Sequence, residues 1–251
     1  MSDLVLSKFV LHIADSQLIL AQRLAEWCGH APELEIDIAL ANIGLDLLGQ
    51  ARNFLTLAGE LEGQGRDEDQ LAYFRGEREY LNLLLVEQPN GDFAQTIVRQ
   101  WLMDQYHHVL ISGLTQSKHA GLAALANKAL KEIKYHVRFS TTWMERLSLS
   151  TDEAKQRTQQ GLDELWRFTA ELFELSDEEQ QLVTAGIIAD PVRDFAVWEQ
   201  HVKSELQRFE LNLPATAAFR RGAKQGMHTE NLGFILAEMQ YLQRTYPNMV
   251  W

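Results

Sequence analysis

The chain has 251 residues, a formal net charge of −12 and 46% hydrophobic residues. That is enough for one sizeable core, and too acidic to favour nucleic acid or a membrane surface as a partner. Its single cysteine, Cys28, excludes an internal disulfide, nowhere do eighteen apolar residues run together, and the start MSDLVLSKFVLHIADS lacks a secretory pattern, so a soluble cytoplasmic protein is expected.

The first helix is predicted over about Leu4–Trp27, with Val10, Ile13, Leu18, Leu20 and Leu24 on its apolar surface. Gly29 ends it and Pro32 opens the next, and so short a connection makes the two helices antiparallel neighbours. The second helix, over residues 33–61, is apolar on almost every side. Leu34, Ile38, Ala41, Leu45, Leu48, Leu55 and Ala58 are therefore expected at the centre of a helical bundle, with Asn42, Asp46, Gln50 and Asn53 as a polar stripe inside it. A polar turn and a small helix carrying Leu71, Tyr73 and Phe74 follow, and residues 77–91 bury the Leu83–Val86 run, either crossing the bundle end or extending the next hairpin.

A third helix is predicted over Asp92–Thr115 and a fourth over His119–Leu147. Two helical hairpins joined by a crossover of about thirty residues are the pattern of a ferritin-like four-helix bundle. Residues 1–251 are thus expected to form a single ferritin-like, all-α domain with additional C-terminal helices. Ser150 with Glu153, and Ser176 with Glu179, have capping-box spacing for a fifth and a shorter helix. Pro191 opens another, residues 210–230 are irregular, and a last helix runs from Thr229 to Tyr246. Trp101, Trp143 and Trp198 are candidate exposed anchors for an interface.

A carboxylate-bridged di-metal bundle takes one glutamate from each of two helices and Glu-x-x-His from each of the other two. The corresponding positions here depart from that pattern. Asp46 is followed three residues on by Gly49, Glu132 by Tyr135 with His136 one place later, and Asp104 stands on the third helix. Asp46, Gly49, Asp104, Glu132, Tyr135 and His136 are accordingly read as positions of a vestigial metal site. An interior hydrogen-bonded or ion-paired network takes the place of metal there, balanced by Arg52, Lys134, His108 or His136. No catalytic residue and no bound metal are expected. Two alternatives stay open: a di-metal carboxylate oxygenase subunit using Asp46, Asp104, Glu132 and His136, and a non-enzymatic ferritin-like scaffold.

Four segments carry a resemblance: 19-ILAQRLAEWCGHAPELEIDIALANIGLDLLGQARNFL-55, 83-LLLVEQPNGDFAQTI-97, 131-KEIKYHVRFSTTWMERL-147 and 222-GAKQGMHTENLGFILAEMQYLQR-244. In them the chain is similar to the structural subunits of phenylacetyl-CoA 1,2-epoxidase, the multicomponent monooxygenase of bacterial phenylacetate catabolism. The resemblance implies a ferritin-like subunit without working ligands or cofactor of its own. It implies as partners a homologous catalytic chain that holds di-iron, further subunits of the complex, and a reductase with FAD and iron–sulfur that takes electrons from NADPH. It also implies contact with the coenzyme A arm of phenylacetyl-CoA, through Glu79, Tyr80, Leu81 and Asn82 and through Gln180, Gln181 and Leu182.

Overall fold

A computed structural model describes residues 3–247 and 249, and every regular element among them is helical. The chain divides into two compact units. One takes the residues up to Pro89 together with those from Gly222 onward; the other is Asn90–Arg221.

In the first unit α1 (Asp3–Ala25) pairs with α2 (Leu34–Glu62). By length and composition α1 would suit a membrane span, yet most of it is buried, with Val10, Ile19, Leu20 and Leu24 fully so, as befits a core helix. The inner face of α2 is Ile36, Leu40, Ile43, Leu47, Ala51, Phe54 and Ala58, spaced three and four apart. Its end is set by Gly63, whose φ of 71° is costly for other residues and lets its N–H reach Gly59 O at 3.1 Å.

One expectation for α2 is overturned: Leu34, Ile38, Leu45 and Leu48 face solvent. A helix apolar on several sides offers two candidate inner faces, and α1 covers the other one. The polar stripe is dispersed accordingly. Gln50 is buried and accepts from Gln17 Nε2 at 2.8 Å, Asn53 turns back to Gly49 O at 2.8 Å, and Asn42 is exposed.

Helix α3 (Glu68–Tyr73) starts at a capping box in which Asp67 accepts from Gln70 N at 2.8 Å and Gln70 accepts from Asp67 N at 3.1 Å. A 3-10 turn at Glu77–Glu79 leads into a strap without regular structure that buries Leu83, Leu84, Leu85 and Val86. The returning segment forms a 3-10 turn at Ala223–Gln225. Where one last helix is expected, two occur, breaking at Gln240.

In the second unit α4 (Phe93–Leu114) pairs with α5 (Ala120–Ser150). Asp92 caps α4 by accepting from Gln95 N at 2.9 Å. Helix α5 buries a narrow stripe of Leu122, Ala126, Ala129, Ile133, His136, Ser140 and Met144. Helix α6 (Asp152–Leu165) is capped by Thr151 rather than Ser150, the Thr151 hydroxyl accepting from Ala154 N at 3.2 Å. It tightens into a 3-10 stretch at Trp166–Glu171 instead of continuing. Ser176 and Glu179 exchange side-chain bonds ahead of α7 (Gln180–Thr184), and Asp190 and Pro191 open α8 (Pro191–Arg208). Trp101 and Trp198 do not anchor an interface. Both are buried, Trp101 edge-on to Phe209 at 5.8 Å and Trp198 stacked on Trp166 at 5.9 Å. Helices α9 (Glu230–Met239) and α10 (Tyr241–Thr245) complete the first unit.

Candidate functional site

The polar chemistry of the first unit gathers on the strap. Three α1 side chains, His12, Asp15 and Ser16, lie at i, i+3 and i+4 and so share one face. Asp15 Oδ2 accepts from Leu81 N at 2.8 Å, Ser16 Oγ accepts from Leu83 N at 3.1 Å, and His12 Nδ1 donates to Leu81 O at 2.6 Å. Asp15 is also paired with Arg75, their side chains 0% and 2% exposed. The guanidinium makes two bonds to that carboxylate, one of them Nη1 to Oδ2 at 3.0 Å, and donates to Glu79 O at 2.9 Å and to Leu71 O. It lies over the Tyr80 ring, 4.3 Å from the centroid. A buried ion pair is tolerable when its remaining donors and lone pairs are satisfied in this way.

Glu87 holds the far end of the strap. Its carboxylate accepts from Asn82 Nδ2 at 2.9 Å, from Thr229 N at 2.6 Å and from His228 Nδ1 at 2.9 Å, and its main-chain carbonyl accepts from Arg23 Nη2 at 2.6 Å. His228 Nε2 faces Tyr80 O at 2.8 Å. A carboxylate and a carbonyl are both acceptors, so this geometry favours a ring that donates from both nitrogens, the protonated form of His228. Burial opposes that charge, but the bond to Glu87, the charges of Glu87 and Asp15, and the Tyr80 carbonyl outweigh burial and raise its pKa above the usual range. At the α9–α10 break Gln240 Nε2 donates to Ala72 O at 3.0 Å, Arg75 O at 3.1 Å and Tyr80 Oη at 3.2 Å.

Of the positions expected to meet coenzyme A, Glu79 is exposed and accepts from Gly76 N at 2.7 Å, Leu81 is half-buried, and Tyr80 and Asn82 are fully buried. In the other unit Gln180 and Gln181 are exposed and Leu182 is buried. Sequence reasoning missed the Arg75, Glu87 and His228 clamp. The available signal was Asp15, a charge set among the apolar residues of the first helix.

In the second unit Asp104 and His136 are fully buried on α4 and α5 and close enough to interact electrostatically. Burial raises the Asp104 carboxyl to about 6, against the opposing pull of His136, Ser140 and Gln100, whose Nε2 donates to Asp104 at 2.7 Å. Glu132 is partly exposed, and Tyr135 is 39% exposed beneath the Arg138 guanidinium. On α2 of the first unit, Asp46 is half-buried and Gly49 is exposed. Among the described residues no group of three or more His, Cys, Asp or Glu is placed to hold a metal ion. These residues do not fit a carboxylate-bridged di-metal centre, which needs six converging side chains.

Residues 2–251 match the family described as phenylacetic acid catabolic protein. The chain belongs to this family. It is 54% identical, over 246 residues, to an Escherichia coli (strain K12) protein named as one of the subunits of 1,2-phenylacetyl-CoA epoxidase, an alignment covering 98% of this chain and 99% of the relative. The resemblance carried by the four segments is thereby borne out. Within this member of the phenylacetic acid catabolic protein family, three of those segments meet at the clamp, supplying Arg23, Glu87 and His228.

Proposed function

We propose that the chain is a non-catalytic structural subunit of a multicomponent di-iron monooxygenase that epoxidises the ring of phenylacetyl-CoA in aerobic phenylacetate degradation. The observation that carries this is the end-to-end identity with a relative named as a subunit of that epoxidase. The family match over residues 2–251 and the all-helical elements further support a ferritin-like reading of the chain.

In this role the di-iron centre belongs to a homologous catalytic subunit, and a reductase bearing FAD and iron–sulfur draws on NADPH. Bound there, the metal supplies oxygen activation. This chain supplies order. Asp46, Gly49, Asp104, Glu132, Tyr135 and His136 then stand as remnants of a ligand set, Asp104 and His136 serving as a buried polar pair. A strap pinned at Leu81, Leu83 and Glu87 suits contact with the thioester's coenzyme A arm. Glu79 and Leu81 would touch it, while Tyr80 and Asn82 hold the backbone beneath. In the second unit, taken by itself, Gln180 and Gln181 would offer amide contacts to the same class of ligand, with Leu182 anchoring their helix. Positioning matters because a displacement of about 1 Å at a reacting centre can cost roughly a hundredfold in rate.

The test is iron per chain after anaerobic ferrous loading, on the lone protein and on its mixture with the homologous subunit, with light scattering for assembly. A stable heteromer with negligible iron on the lone chain is expected. About two irons per lone chain, the loading of a complete di-metal bundle, or no heteromer, overturns the proposal.

A further inference from the structure

The outer face of α2 is apolar and faces solvent, Leu34 and Leu45 being 71% and 64% exposed. Beside it an open groove of about 500 Å³ runs between α2 and α3, floored by Leu18, Ala51 and Ala72 and bordered by Gly49. Gly49 has no internal reason to be glycine. It lies well inside α2, is absent from the positive-φ positions, and a Cβ there would meet nothing within 4 Å. Mid-helix glycine costs about 1 kcal/mol relative to alanine. What a missing side chain on an exposed helix does permit is close approach of a second backbone, with a large side chain entering the notch.

Charge selects among occupants. Glu68 and Asp69 line the groove, and Arg52 at the rim holds Glu68 at 3.0 Å. A second copy would bring another net charge of −12 and the same acidic rim. We propose that this face docks a long amphipathic helix of a different chain. That helix carries apolar side chains at heptad-like spacing, a large one opposite Gly49, and Lys or Arg toward Asp69. Taking the homologous oxygenase subunit as that chain, the inference rests on the role proposed above.

The experiment compares binding of that subunit to wild type and to Gly49→Leu, Leu45→Lys and Asp69→Lys, with circular dichroism melts of each lone chain. Because Gly49 and Leu45 face open space, their variants keep the wild-type melt, Gly49→Leu at or above it. Gly49→Leu and Leu45→Lys weaken binding on the order of tenfold or more, and Asp69→Lys weakens it less while lowering its salt sensitivity. Wild-type binding that all three variants retain overturns the docking face and leaves the proposed role standing. Absence of wild-type binding overturns the role and the inference with it. A lone-chain dimer that Gly49→Leu dissociates, with the heteromer unaffected, assigns the face to a second copy and also overturns it.

Discussion

His228 and Glu87, separated by 141 residues of sequence, meet with Nδ1 2.9 Å from Oε2 and both side chains out of solvent. Since the second ring nitrogen also faces an acceptor, the contact favours the protonated ring. A raised folded pKa contributes stability that is fully present below the unfolded value and is lost as pH rises through the folded one. Thermal stability should therefore fall as pH climbs from about 6.5 through the raised His228 value. His228→Gln should be less stable at pH 6 by about 1–3 kcal/mol and should flatten that limb. A wild-type melting temperature indifferent to pH across the window would contradict this.

Removing one member of the Asp15–Arg75 pair leaves the other charge buried. Arg75→Met or Asp15→Asn alone should cost about 3–5 kcal/mol in urea unfolding. The double change Asp15→Leu with Arg75→Met should cost less than the sum of its two single changes, because no orphaned charge remains.

Asp104 has the opposite consequence. An acid whose folded pKa is raised to about 6 costs stability once ionised. That cost grows as pH rises from about 4 to the folded value and then levels off. Asp104→Asn should remove the slope between these limits and raise stability at pH 8 by on the order of 1–3 kcal/mol, measured by denaturant midpoints across pH. A variant less stable than wild type at pH 8 would show that the ionised carboxylate is favourably paired.

The two candidate caps of α6 are separable by mutation. Thr151→Ala should cost about 1 kcal/mol and Ser150→Ala almost nothing, because the Thr151 hydroxyl holds Ala154 N. A cost at Ser150 with none at Thr151 would return the cap to Ser150.

Helices were legible because their signals are local. The apolar period of α4, the Pro191 start of α8 and the buried Leu83–Val86 run are readable within a few neighbours. The outward side of α2 was not, since counting apolar residues does not say which of them the chain itself covers. The clamp was hidden for a different reason. Asp15 and Arg75 lie 60 residues apart and His228 and Tyr80 148, and contacts at that distance leave no period in the sequence. At the candidate metal positions, residue types showed the missing side chain at Gly49, while only the structure shows Asp46 half-buried and Tyr135 exposed.

Because the strap is fastened by His228, Thr229 and Gln240, the first unit is discontinuous in the chain. A ribosome releases α1, α2 and the strap first, then all of Asn90–Arg221, and only afterwards the residues that lock the strap. The opening third of the nascent protein thus spends most of its synthesis with Glu87 and the Tyr80 carbonyl lacking their final donors. The second unit, continuous in the chain, can mature while the first is still waiting for its last helices.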